Sequence, residues 1–160
     1  MKPRMTSPVV SIPGVLESLQ ALSRAATEAG ARAGLSQNTI DLVSLRASQI
    51  NGCAVCLDMH ARALLKAGET DERLATLAAW REAPYFSDAE RSALALAEAA
   101  TRLSDHVDPV PDELWDEAAR HFEQPALAAL VVAVAAINTW NRLNVTTGQV
   151  AGEWTAQWVA

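Results

Sequence analysis

Aromatic rings are scarce in this chain: five Trp, two Phe and one Tyr among 160 residues. Cysteine is scarcer still, with two, and Lys and Arg (13) are outnumbered by Asp and Glu (19). Each shortage excludes something. A net charge of −6 with scattered cations argues against a nucleic-acid binder, which needs a basic face. Two cysteines cannot staple a small secreted scaffold, and a lone pair in a reducing compartment points to redox or metal chemistry. The longest apolar run, 126–137, is too short to cross a bilayer and is expected to form a buried helix. Lys2 and Arg4 precede a stretch broken by Ser11, Pro13 and Gly14, which is no secretory core. These exclusions lead to the expectation of a single cytoplasmic domain over residues 1–160, with neither nucleic acid nor membrane as a partner.

What is abundant is alanine, and half of all residues are apolar. Alanine is the best helix former and allows helices to approach closely. No alternating strand pattern stands out, whereas helix punctuation recurs. A helix is expected over 15–29, ending at Gly30. Ser36 can cap a second that runs to about Ile50 and breaks at Asn51-Gly52. A third starts near Cys53 and runs to Ala67, before Gly68. Thr70 caps a segment over 71–81, and Ser87 with Glu90 forms a capping box for a helix to about Leu103. A short helix from Pro111 or Asp112 to Phe122 follows, then an apolar one from Pro125 to about Leu143. Trp154 and Trp158 share a helical face in the tail. The fold class is all-α.

Both cysteines lie three residues apart, and His60 follows four residues later. On a helix, Cys53, Cys56 and His60 stand at i, i+3 and i+7, one stripe of one face. A thiol must become a thiolate to attack a peroxide or a disulfide. The first turn of a helix favours an anion, and His60 is near enough to accept a proton from Cys56 directly or through a water. A second thiol resolves an oxidised sulfur as an intramolecular disulfide. Two plainer roles fit the same residue types: cysteines packed as small hydrophobes, and a zinc site. For zinc the chain offers only two Cys, and His106 and His121 lie in distant segments without matching spacing. Asp58 faces away from the stripe and is expected to pair with Arg62. Glu17, Glu69 and Glu72 are spare carboxylates that no spacing selects.

The segment Leu45-Arg46-Ala47-Ser48-Gln49-Ile50-Asn51-Gly52-Cys53, with Cys56-Leu57-Asp58-Met59-His60, resembles the core motif of alkylhydroperoxidase D (AhpD)-like proteins of the carboxymuconolactone decarboxylase superfamily. The likeness continues through Arg73-Leu74, Trp80 to Pro84, Phe86, Glu90-Arg91 and Glu98-Ala99, and returns at Ile137 to Leu143, so that it covers about 36–146. The resemblance implies an all-helical homo-oligomer, a trimer or hexamer. It implies dithiol-dependent reduction of alkyl hydroperoxides with no resident cofactor, the disulfide being recycled by an external lipoyl or thioredoxin-like dithiol partner. Cys53 and Cys56 match the redox pair and His60 the relay histidine. The relay glutamate of the pattern falls on Asp41, one methylene shorter and expected to reach His60 through a water. The histidine that AhpD proper carries between its cysteines is here Val55.

The expected activity is therefore that of a peroxidase or disulfide reductase, with Cys56 the deeper, peroxide-reacting thiol and Cys53 the exposed, exchanging one. A decarboxylase-type lyase of the same superfamily has no need of the pair. A non-enzymatic redox sensor would use the disulfide to change assembly. Asn51 and Gly52 are expected to shape the turn before Cys53, Ser48 and Gln49 to pack or cap, and Trp140 with Asn141-Arg142 to close a pocket or an oligomer contact.

Overall fold

A computed structural model describes residues 1–152 and 155, so Trp154 and Trp158 lie outside the described residues. Among those described there are eight α-helices and no strand: α1 Pro8–Ser11, α2 Val15–Arg32, α3 Gln37–Asn51, α4 Ala54–Lys66, α5 Asp71–Thr76, α6 Asp88–Thr101, α7 Asp112–His121 and α8 Gln124–Thr147. The all-α expectation holds. Ser36 accepts the Thr39 N–H at the head of α3, Thr70 caps α5, and Ser87 and Glu90 close both halves of the capping box on α6.

Three elements differ from the sequence reading. α2 runs past Gly30 to Arg32, because Gly30 is a packing residue and not a stop. A Cβ there would sit 3.1 Å from Ile40 Cδ1 and 3.6 Å from Ala129 Cβ, so its absence lets α2 lie close to α3 and α8. The left-handed residue that follows the helix is Gly34, at φ 77°. The helix capped by Thr70 ends at Thr76 and tightens into a 3-10 turn, Leu77–Ala79, that buries Leu77. The short α1 was not anticipated. Ser7 caps it, Pro8 begins it, and it buries Val9.

α8 is the axis of the molecule. It packs against α2, α3 and α6, with α4 and α7 touching it at its two ends. The full helix has 24 residues, longer than the 126–137 run suggested, and by length and composition alone it could cross a membrane. Its apolar surface is instead turned inward: Leu130, Ala133 and Val134 join Leu42, Leu64 and Leu94 in the main core. A second cluster gathers Ala47, Cys53, Val55, Cys56 and Ile137, so the cysteines belong to the packing as well as to any chemistry.

One buried carboxylate ties the frame together. Glu98 of α6, 5% exposed, accepts Arg46 Nε at 2.6 Å, Trp80 Nε1 at 3.0 Å and an Arg81 guanidinium N–H at 2.7 Å. It thereby fastens α3 and the 3-10 turn to α6. Burial pushes this carboxyl up, but the hydrogen bonds from Arg81, Arg46 and Trp80 outweigh burial and hold it below the ordinary value. A second clamp joins Glu90 to Arg73, 2.5 Å apart, with Arg73 also on Glu69 and over the Phe86 ring. Burial again raises Glu90, and the bonds from Arg73 and Ser87 reverse it. A carboxylate whose folded pKa is depressed stabilises the fold above its unfolded value and loses that contribution as pH falls through the folded one. The unfolding midpoint in urea is therefore expected to drop on acidification below the ordinary Glu value of about 4.3. Glu98→Gln should be less stable than wild type at pH 7 and show a flatter acid limb, read by circular dichroism over the same range.

Candidate active site

The turn between α3 and α4 builds the site. Asn51 ends α3, and Gly52 at φ 69° supplies the left-handed residue that reverses the chain. Cys53 then serves as N-cap of α4: the Cys56 N–H donates to its sulfur at 3.3 Å. The expected helix start at Cys53 is thus correct to one residue. The two cysteines form a disulfide, with Cα atoms 5.4 Å apart. Free thiols are absent among the described residues.

This turn is anchored by amides. Asn51 Nδ2 donates to Asn138 Oδ1 and Asn141 Oδ1, both at 2.9 Å, which uses both of its protons. Asn138 Nδ2 donates onward to Thr101 Oγ1 and the Val134 carbonyl, and Asn141 Nδ2 to Ser48 Oγ, which donates to the Ser44 carbonyl. Asn141 is wholly buried, yet no described buried side-chain N or O is left without a partner. Asn51, Ser48 and Asn141 are therefore placed as structural residues. Asn144, one turn further along α8, donates Nδ2 to Cys56 Sγ at 3.5 Å.

Asp41, on α3, and His60, on α4, meet directly: His60 Nδ1 and Asp41 Oδ1 are 3.0 Å apart, and Gln37 Nε2 donates to the other carboxylate oxygen. The expected intervening water is not needed, because α3 and α4 pack closely enough for the shorter aspartate to reach. A carboxylate only accepts, so Nδ1 carries the proton and Nε2 is left as the basic nitrogen. In this disulfide form no direct hydrogen bond joins His60 to either sulfur. Asp58 pairs with Arg62 as expected, and Glu69 is engaged by Arg73 and Asn38, away from the site. His121 is bonded to Glu117 on α7.

The two cysteines border different spaces. Cys56, His60 and Asp41 line a cavity of about 430 Å³ whose walls are largely apolar, among them Val55, Met59 and Trp140. Cys53 instead borders a cleft of about 530 Å³ beside the end of α8, with Lys2 and Gly148 on its rim. The expectation that Cys53 is the exposed thiol is overturned: it is 1% exposed against 4% for Cys56. Its N-cap position turns the sulfur back onto the helix, and the packing with Ala47 and Ile137 covers it. No group of three His, Cys, Asp or Glu suited to a metal occurs among the described residues.

Sequence reasoning missed Asn144 and the α1 and α2 walls of the cavity, where Val9, Gln20, Ser23, Arg24 and Thr27 lie. The signals were present. Asn138, Asn141 and Asn144 stand at i, i+3 and i+6 of an apolar helix, and Gln20, Ser23, Arg24 and Thr27 form a polar stripe on an Ala/Leu-rich one.

Fold and site together define a class: an all-helical protein with a CxxC disulfide at a helix head and a His–Asp pair beside it. Residues 13–99 match the profile of the carboxymuconolactone decarboxylase family, and the chain belongs to that family. It is 37% identical over 120 residues to YdfG, an uncharacterized protein of Bacillus subtilis, covering 75% of this chain and 80% of that one. A stretch of 38 residues is 47% identical to alkyl hydroperoxide reductase AhpD of Coxiella burnetii, 24% of this chain and 22% of the relative. A crystal structure from Agrobacterium tumefaciens superposes with a TM-score of 0.85 at 30% identity, over 94% of this chain and 99% of that one. It is described as a protein of unknown function with a suggested AhpD role in antioxidant defence. The debrominase Bmp8, bound to 2,3,4-tribromopyrrole, shares the fold at 17% identity and a TM-score of 0.76, over 94% and 79% of the two chains.

Because Asn141 satisfies both the Asn51 amide and Ser48, Asn141→Ala should strand buried polar groups and cost about 2–4 kcal/mol. Urea unfolding checks this, and a loss under about 0.5 kcal/mol would make the ladder incidental.

Proposed function

We propose that the chain is a dithiol peroxidase that reduces organic hydroperoxides on Cys56 and resolves on Cys53. The observation that carries the reading is the disulfide-forming pair set at a helix head, with one sulfur sharing a cavity with the Asp41–His60 couple. Membership of the family and the local likeness to AhpD support it.

The steps balance as follows. His60 Nε2 takes the Cys56 proton, and Asn144 Nδ2 donates a hydrogen bond to the thiolate that results. The thiolate attacks the terminal peroxide oxygen, the O–O bond breaks, and the leaving alkoxide receives the proton from His60 to become an alcohol. Cys56 is now a sulfenic acid. The Cys53 sulfur attacks it, hydroxide departs and combines with the Cys53 proton as water, and the disulfide forms. An external dithiol of lipoyl or thioredoxin type returns both cysteines to thiols by exchange. Both sulfurs are buried in the disulfide form, so such a reductant gains access only when the turn at Cys53 or the wall of the Cys56 cavity opens. Asp41 acts as a positioning residue that fixes the His60 tautomer.

A homo-oligomer, trimer or hexamer, working in the cytoplasm completes the reading. The exposed Val131 and Val145 on α8 are apolar positions that subunit contact would cover. Light scattering should return a multiple of 17.1 kDa, and a monomeric mass would remove the assembly from the proposal.

Cys53→Ser treated with cumene hydroperoxide should accumulate a sulfenic acid on Cys56, whereas Cys56→Ser should form none. Sulfenic acid confined to Cys53 would reverse the order of the two thiols. With dihydrolipoamide as reductant, Asp41→Asn should lower turnover by roughly tenfold or more, as expected when an acid–base group loses its orientation. Unchanged thiol content after stoichiometric peroxide would defeat the peroxidase, and oxidation without turnover would favour a sensor.

A further inference from the structure

Arg24 stands on α2, on a different wall of the Cys56 cavity from the thiol. Among the described residues it has neither an ion pair nor a hydrogen-bond partner. The other charged groups in the lining are already engaged, since Asp41 is bonded to His60 and Gln37. Arg24 therefore offers an uncommitted guanidinium at the margin of a space whose walls are otherwise mostly apolar.

Its neighbours fit the same purpose. Gln20, Ser23 and Thr27 continue the polar stripe on that face of α2, and Ser23 Oγ is held by Trp140 Nε1 at 3.3 Å. The opposite requirement is met by Ile40, Val55, Met59 and Ile137, which present carbon surface. The volume, about 430 Å³, is near the lower end of the roughly 300–1,000 Å³ typical of small-molecule sites. That volume is large enough for a medium-length acyl chain.

We propose that the hydroperoxide this site takes is an amphiphile: a medium-chain hydroperoxide ending in a carboxylate, with Arg24 pairing the carboxylate and the apolar walls holding the chain. This deepens the peroxidase reading and rests on it for the peroxide group alone; recognition of an acyl carboxylate depends on Arg24 and the cavity. A guanidinium gives a carboxylate two parallel N–H donors, which a neutral chain end cannot use. Arg24 is exposed, so the pair forms at the solvent-facing mouth of the cavity, where screening keeps its contribution modest.

The test separates binding from chemistry. Decanoate and 1-decanol are titrated by calorimetry into the oxidised, disulfide form of the full chain, with no peroxide present. Decanoate should bind roughly fivefold tighter or more than decanol, and the margin should narrow at high salt. Arg24→Gln should erase the margin and Arg24→Lys should keep part of it. Equal affinity of the two probes for the wild type, or a margin that survives in Arg24→Gln, overturns the proposal. In the reduced enzyme, a 10-carbon hydroperoxy acid should show a lower KM than its methyl ester, a difference that Arg24→Gln removes. If the binding arm fails while cumene hydroperoxide is still turned over, the amphiphile is wrong and the peroxidase stands. If decanoate binds through Arg24 but no hydroperoxide is consumed, the recognition holds and the peroxidase falls.

Discussion

The hydrogen bonds from Asn51 to Asn138 and Asn141 are the constraint on which the rest of the site depends. Gly52 can turn the chain in many ways, and α4 could leave α3 at many angles. The Asn51 amide removes that freedom by fixing the last residue of α3 to the middle of α8. Once it is fixed, Cys53 must begin the next helix against Ala47 and Ile137, and Cys56 must lie one turn further in, next to Asn144. Buried amides are costly unless fully paired, and here each passes its demand to another: Asn141 to Ser48, Asn138 to Thr101. A network satisfied in only one arrangement selects that arrangement.

The same logic operates one layer out. Glu98 sits where three donors from two other segments converge, and its charge is kept because Arg46 and Arg81 surround it. Arg46 belongs to α3, five residues after Asp41 and seven before Cys53, so this buried ion pair also sets the rotation of the helix that carries the site. Removing one partner would leave a buried charge uncompensated, which is more damaging than losing an exposed pair. The site therefore rests on α3 being held twice, by Glu98 on one side and by α8 on the other.

Under the proposed reading, the placement of the two cysteines beside different spaces answers an otherwise awkward requirement. A dithiol peroxidase must admit a small apolar substrate to one sulfur and a bulky dithiol to the other, and a shared entrance would set them in competition. Cys56 lines the cavity and Cys53 borders the depression by the N-terminal segment. That segment is held there by Arg4, whose backbone N–H and guanidinium donate to the Thr147 and Thr146 carbonyls. The burial of Cys53 matters in this setting: under the proposed reading a thiol at that position is shielded from stray oxidants.

Much of this was legible in the linear chain, because it depends on short-range spacing. The Cys53–Cys56–His60 stripe, the Ser36, Thr70 and Ser87 caps and the Asn51-Gly52 break are properties of a few neighbouring residues, and helix geometry turns each into a statement about structure. The all-α class followed from alanine content and punctuation. What the chain could not disclose involves residues far apart. The reach of Asp41 to His60 depends on how closely α3 and α4 pack, and the bond from Asn144 to Cys56 spans 88 positions. Gly30 read as a stop because a glycine's local preference is visible and its packing partner, Ala129, is not. The candidate reacting groups were thus named by the sequence. The burial of both cysteines, and the direct reach of aspartate to histidine, were decided only when α2, α3 and α4 closed around α8, since burial and distance are properties of the assembled core.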